Sequence, residues 1–506
     1  MLLRRSFASP AYRRQAQDDT WRTVMLSGLC PRGYGRWGER SIADCGVGKT
    51  EGGIVLRILK GMWVFCLLFL ASPLSLAGAG LKAGVAKVEI TPPTGLRMYG
   101  FSNRKGGSTG TLDPLMARVL VLEAGEKRLA LVILDLGRPF AEAWIQRLRE
   151  DARKTSGISY VLLAAIHTHS GPAIRDEYPP QKSPDWETGV LEKVEKAIAE
   201  ACQHLAEARL GTGYGSVDIG HNRLRLEPDG TIFWFERNNT MVPTSPVDPT
   251  VSVLRVDTVE GTPLAILVNY ACHPVVFGSD NLQYSADYPG VMIRTVEQAF
   301  AGKPLCMFVQ GAPGDINPYY AVHPLGQDAV KMRDWTGERL GGEAARVAKS
   351  IQTAASDATL DFAEDRLEFR PRWNMERFRE AVRASWGPEA AESFEQRRGE
   401  MPRLPVATVL INKRIALMTV PGEAFVQHQM AWRQRCPVRD AFFLGYANGD
   451  YGYFPTIRAA SLGGYGAANT ATWVEVGAGE RMVDHAIVKV YEMLGRLTDI
   501  PEDLKK

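Results

Sequence analysis

Cysteine is scarce in this sequence and never grouped: seven occur in 506 residues, with no Cys-x-x-Cys pair among them. That excludes a thiolate zinc site and a disulfide scaffold. Cys202, Cys272, Cys306 and Cys436 stand far apart in apolar contexts and read as buried free thiols. An excess of either charge is missing too. The formal net charge is +3, and residues 1–79 hold 11 Lys and Arg against 5 Asp and Glu, leaving 49 against 52 in the remainder. A body so nearly neutral has no electrostatic footprint for nucleic acid. No apolar run reaches the ~20 residues of a membrane-spanning helix, and no internal repeat is evident. With 45% hydrophobic and 23% charged residues, the composition is that of a globular protein rather than a disordered one.

The densest apolar stretch, GMWVFCLLFLASPLSLA at 61–77, follows Arg57 and Lys60 and ends in small residues. Basic flank, short apolar core and small residues at the cut are the layout of a secretory signal, with cleavage expected after Ala77 or Ala79. The protein is therefore expected to be secreted or periplasmic. Residues 1–54, rich in Arg, Gly and Ser, stand upstream of a signal that should come first. They read as a mis-called or disordered extension, residues 55–79 as the signal peptide, and 80–506 as the folded domain.

From residue 82 short β-like runs alternate with helical stretches, which predicts an α/β fold of mixed β-sheets flanked by helices. Strands are expected at 81–90, as a pair across Gly125 within 117–136, at 159–166, as a pair around Gly261 within 250–273, at 304–310, and as a pair turning near Asn412 within 406–420. Helices are expected around 141–154, 187–206, 291–300 and 480–496. The charged, Arg-rich run 364–400 reads as a solvated helix or hairpin.

Chemistry gathers where these strands stop. The strand YVLLAAI runs into His167-Thr168-His169-Ser170-Gly171-Pro172. Residues two apart on a strand share a face, so both imidazoles can reach one centre. LAILVNYAC runs into His273-Pro274, and LINKRIALMTV into Pro421-Gly422-Glu423. CMFVQ runs into Gly311-Ala312-Pro313-Gly314-Asp315-Ile316-Asn317-Pro318, whose small residues let a ligand approach the backbone. Ligand sites in α/β sheets form outside strand ends. Imidazole and carboxylate donors together suit Zn2+, which leaves a place for water. His167, His273 and Glu423 are the candidate donors that this pattern yields.

These segments resemble the neutral/alkaline (non-lysosomal) ceramidase family in its catalytic N-terminal domain. AGVAKVEITPPTGLRMYGF (83–101) is similar to the family's opening strand and turn, and HTHSGP (167–172) matches its best-known motif. GHNRL (220–224), NYACHPVVFGSDNLQYSADYPGVM (269–292), VPGEAF (420–425) and LGYANGDYGYFPT (444–456) resemble its further segments in the same order.

The resemblance implies a zinc site of His167, His273, Glu423 and Tyr453, with Zn2+ as cofactor. It implies that His169 and Arg223 contact substrate and that Tyr465 stands where the family has a second active-site Tyr. Asn317 falls where the family places a Ser at the scissile amide, and an amide side chain can hydrogen-bond there but not act as a hydroxyl nucleophile. Family enzymes usually continue into a C-terminal β-sandwich; here a single large catalytic domain without one is expected. The implied activity is zinc-dependent amide hydrolysis of ceramide or a related N-acyl lipid, with water activated on the metal. A lipid-like N-acyl amide is the implied partner, with contact to a membrane surface open and no nucleic acid. Arg223, Tyr465 and His169 would stabilise the oxyanion or protonate the leaving amine. Two alternatives stand beside this reading. Asp135, Asp287 and Asp315, near strand ends or turns, could with His hold two metals for phosphoester cleavage. A relative that lost the family Ser could instead bind acyl-amines without turnover.

Overall fold

The computed structural model describes residues 80–504 apart from 356–357, 389–400 and 498–499. The expected extension 1–54 and the expected signal peptide 55–79 lie outside the described residues, which belong to one compact unit, Pro73–Lys506. Among them no helix is long and apolar enough to cross a membrane.

The chain opens with Lys82–Glu89 (β1) and folds back as a hairpin of Met116–Ala124 (β2) and Lys127–Leu134 (β3). Helix Glu142–Ser156 (α1) then leads to Tyr160–Ala165 (β4), parallel to β3. After Asp185–Gln203 (α2) and Ala206–Ser216 (β5), the same plan returns. Thr250–Thr258 (β6) and Pro263–Tyr270 (β7) form a hairpin, Tyr288–Ala299 (α3) crosses over, and Leu305–Gln310 (β8) runs parallel to β7. It returns again beyond Ala329–Ser350 (α4) and Leu360–Glu368 (β9). Arg403–Ile411 (β10) and Ile415–Thr419 (β11) pair, Val426–Arg435 (α5) follows, and Asp440–Leu444 (β12) lies parallel to β11. Ala478–Met493 (α6) comes last of the long helices.

The first eight strands make one mixed sheet in the order β8-β7-β6-β5-β1-β2-β3-β4, and β9-β10-β11-β12 make a second. Alternation along β2 and β3 explains the layering. Val119, Val121, Val132 and Leu134 face α1 and α2, where Trp144, Leu148, Val190 and Val194 meet them. Leu120, Leu122, Leu131 and Ile133 face the other way, into a core shared with α3, α4 and Val409, Leu417 and Phe442 of the second sheet. Strands buried on both faces read as almost continuous apolar runs, and these do. The far side of the second sheet packs on α6 through Met482, Ala486 and Val490.

Three of the sequence readings change. Residues 364–368 are the end of β9 rather than a helix, and Met375–Trp386 is the helix of that region. The charges that suggested a solvated element lie between two helices. Glu364 pairs with Arg149 of α1, while Asp365 pairs with His485 and Lys489 of α6. Residues 206–216 are a central strand, which takes over the last residue of the helix expected at 187–206. Of the four free thiols, Cys272 and Cys306 are buried, whereas Cys202 and Cys436 are only half-buried.

What matters for the site is where the parallel partner strands stop. The edge strands β4 and β8 meet at their ends, where the Gln310 amide donates to the Ile166 carbonyl at 3.1 Å. The end of β12 joins them. Gly445 N–H donates to Gln310 at 3.0 Å, and Ala165 N–H to Tyr446 at 3.1 Å. Three strand ends distant in sequence are thereby fastened at one point.

Candidate metal centre

His167 and His169 lie just past the end of β4, and His273 lies just past β7. Their donor nitrogens lie within 4.8 Å of one another, and among the described residues this is the group arranged to hold a cation. His167 Nε2 is 3.2 Å from His169 Nε2, and His273 Nε2 is 2.8 Å from Glu423 Oε2. Glu423 Oε2 is 3.6 Å from His167 Nε2. Donors about 2.0–2.2 Å from a tetrahedral centre stand about 3.3 Å apart, so these separations suit one ion.

Hydrogen bonding at the far side of two rings supports that fit. His167 Nδ1 lies 2.8 Å from the Gly137 carbonyl, and His273 Nδ1 lies 3.0 Å from that of Ile316. A carbonyl can only accept, so each ring carries its proton on Nδ1 and turns an Nε2 lone pair inward. His169 differs, because its Nδ1 has no hydrogen-bond partner. It is clasped by the Tyr99 and Phe101 rings at 5.6 and 5.1 Å, edge-on, while Arg104 Nη2 donates to its carbonyl at 2.9 Å.

Charge follows the same logic. Burial pushes His273 down to about 4, Arg223 adds to this, and Glu423 opposes it. Burial together with His167 and His273 holds His169 well below the imidazole range. Burial works to raise the Glu423 carboxyl, but His167 and His273 outweigh it and hold it well below the usual range. Unprotonated imidazoles around an ionised carboxylate are what a divalent cation requires of its ligands.

A second group stands against the first. Glu423 and Tyr453 are paired in register on two short parallel strands. Arg223 Nη2 donates to the Tyr453 hydroxyl at 2.9 Å and to the Gly314 carbonyl at 2.7 Å, while Nη1 donates to Asn317 Oδ1 at 3.0 Å. The guanidinium lies over the rings of Trp234, Tyr465 and Tyr453, at 4.9, 5.5 and 5.7 Å. Tyr465 and Trp234 are 48% and 37% exposed, so this aromatic side opens to solvent. Asn317 spends both ends of its amide inside the protein, since Nδ2 donates to the Glu236 carbonyl at 2.9 Å. It anchors Arg223 rather than facing outward.

The structure thus draws together His167, His169, His273, Glu423, Tyr453, Arg223, Asn317 and Tyr465. The carboxylates of the phosphoester alternative are engaged elsewhere. Asp135 pairs with Arg118 at 2.7 Å, Asp287 accepts from the Phe277 and Tyr288 amides, and Asp315 accepts from the Val426 amide and Asn222. Sequence reasoning missed Tyr446, whose hydroxyl is 3.2 Å from His167 Nε2. Its signal was its place, just past a strand end, in a segment singled out for a different tyrosine.

Comparison with known proteins gives a consistent picture. Residues 81–329 match the family described as neutral/alkaline non-lysosomal ceramidase, N-terminal. The neutral ceramidase of Pseudomonas aeruginosa is 27% identical over 279 residues, which is 51% of this chain and 40% of that protein. The matched stretch is therefore less than half the length of that relative. A solved structure described as ceramidase complexed with C2 superposes with a TM-score of 0.67 at 19% identity, covering 83% of this chain and 76% of that one. A crystal structure of neutral ceramidase from Pseudomonas aeruginosa gives 0.66 at 19% identity, covering 83% and 75%. These two establish the shared fold.

Proposed function

We propose, from the match of residues 81–329 to the neutral/alkaline non-lysosomal ceramidase family, that this protein is an exported, zinc-dependent amide hydrolase acting on ceramide or a related N-acyl lipid. The observation that carries the reading is the pair of His rings, each tied by Nδ1 to a backbone carbonyl, that aim Nε2 beside Glu423. His167, His273, Glu423 and Tyr453 would hold the cation. When bound, Zn2+ supplies Lewis acidity and lowers the pKa of coordinated water toward about 7.

The chain's own residues account for the rest. Arg223 is a buried cation fixed by three acceptors, so it can face developing negative charge on a carbonyl oxygen without moving. His169, unprotonated and with a free Nδ1, can take a proton near the donor cluster. The half-exposed Tyr465 hydroxyl can hand a proton to a departing amine. Trp234 and Tyr465, edge to face at 5.0 Å, give the acyl portion an apolar wall. The acylated amine of such a substrate presents both an oxygen for Arg223 and chains for the aromatic side.

The test is turnover of a panel of N-acyl lipids and N-acyl amino acids by the purified protein, with metal content measured on the same sample. Hydrolysis of the lipids by protein with one zinc per chain is expected. Tight acyl-amine binding without turnover at full zinc loading would replace this reading with that of a binding protein.

A further inference from the structure

Tyr446 belongs to no motif role assigned above, yet it touches the centre more closely than several residues that do. Its ring lies face to face with His167, the centroids 3.9 Å apart and the planes 17° from parallel. Its hydroxyl is 3.2 Å from His167 Nε2. The residue is fully buried.

The backbone is committed to this placement. Tyr446 has φ of 49° and His167 has φ of 71°, both in the left-handed region that bulky residues avoid. Such conformations persist only where surrounding contacts over-determine them. Here Tyr446 N–H donates to the Gly422 carbonyl at 3.2 Å, and its own carbonyl accepts from Ala165 at 3.1 Å. One residue is thereby pinned between the strand that delivers His167 and the loop that delivers Glu423. The two phenols near the centre also divide it between them: Tyr453 accepts from Arg223, and Tyr446 covers the face of His167.

We infer that Tyr446 is a positioning residue of the metal centre, holding the His167 imidazole in its ligating orientation through face-to-face stacking of its ring. The inference rests on the metal-centre reading above. From one side the Gly137 carbonyl fixes the tautomer and tilt of His167; from the other Tyr446 covers its face. Partners of this kind, which do not touch the metal, typically govern its affinity by 10–100-fold.

The experiment is zinc affinity, read by competition with a chromophoric chelator, so that no substrate is needed. Tyr446→Phe keeps the stacked ring and is expected to leave zinc binding within about threefold of the parent. Tyr446→Leu removes the ring and is expected to weaken it by about 10–100-fold. Tyr451→Phe, in the same loop, is expected to leave it unchanged. Circular dichroism and melting curves establish that each variant is folded, and Tyr446→Met takes the place of Tyr446→Leu if the latter is not. His167→Ala, in the same assay, separates the two levels. If it binds zinc like the parent, the metal-centre reading fails and this inference with it. If it loses zinc while the folded variant that lacks the ring stays within twofold of the parent, the positioning role of Tyr446 alone is overturned.

Discussion

Gly100 shows how tightly the His169 side of the site is set. A Cβ at this position would stand 2.3 Å from the His169 ring, and φ is 98°. Gly100→Ala is therefore expected to displace the imidazole and strain the turn together, lowering turnover by tenfold or more while the melting temperature falls modestly. A variant with parental kcat/KM would mean that His169 takes no part. Asn317 acts at one remove. Asn317→Ala leaves Arg223 Nη1 and the Glu236 carbonyl without their partner. The expected loss is about 1–3 kcal/mol, the range for an unmet buried hydrogen bond. It should appear in kcat/KM, with zinc affinity unchanged, because Asn317 holds the guanidinium and not a metal donor.

At the scale of elements, α3 begins at Asp287, whose side chain accepts from the Tyr288 amide while φ is 56°. Burial pushes this carboxyl up to about 6, against the pull of the Phe277 and Tyr288 amides and Arg333. In the unfolded chain it returns to about 3.9. The fold therefore binds this proton more tightly than the unfolded chain does. Its contribution to stability is fully present below about pH 4 and is lost as pH rises through about 6. Asp287→Asn keeps an oxygen for the cap and should remove that slope, worth about 3 kcal/mol at most. Urea unfolding of parent and variant between pH 4 and 7 measures it, and parallel profiles would refute the assignment. The hairpins were legible in sequence because β2–β3, β6–β7 and β10–β11 are apolar runs broken by turn residues. Strand β5 was not, because Gly211, Gly213 and Gly215 weaken its pattern. Added Cβ atoms there would come within 2.4, 2.8 and 2.1 Å of Ile351 and Glu343 side-chain atoms, so these glycines admit α4. Strand-end position made His167, His273 and Glu423 visible as donors. Tyr453 came only through family resemblance. Tyr446 escaped because its contact with His167 crosses 279 residues of chain.

For the whole molecule, a cation held by donors from three separate strand-end units should stabilise the folded state and nothing else. Chelation is expected to lower the melting temperature and Zn2+ to restore it, by about 2.7 kcal/mol at a hundredfold excess over Kd. In His167→Ala that response should vanish. Export belongs to this scale as well: sequencing the mature protein is expected to give Gly78 or Gly80 as first residue, and a stable cytosolic form carrying residues 1–54 would contradict it. The three recurring units have a consequence for the order of events in time. His167, His273 and Glu423 come from different units, with 150 residues between the last two. No unit can bind the ion alone, so loop-closure entropy must be overcome along most of the chain before the metal contributes anything. Under the proposed function, acquisition of the ion is then a late step of maturation, and a chain still emerging or still threaded through a translocon would be metal-free. The compartment whose zinc supply would matter is the one in which folding finishes.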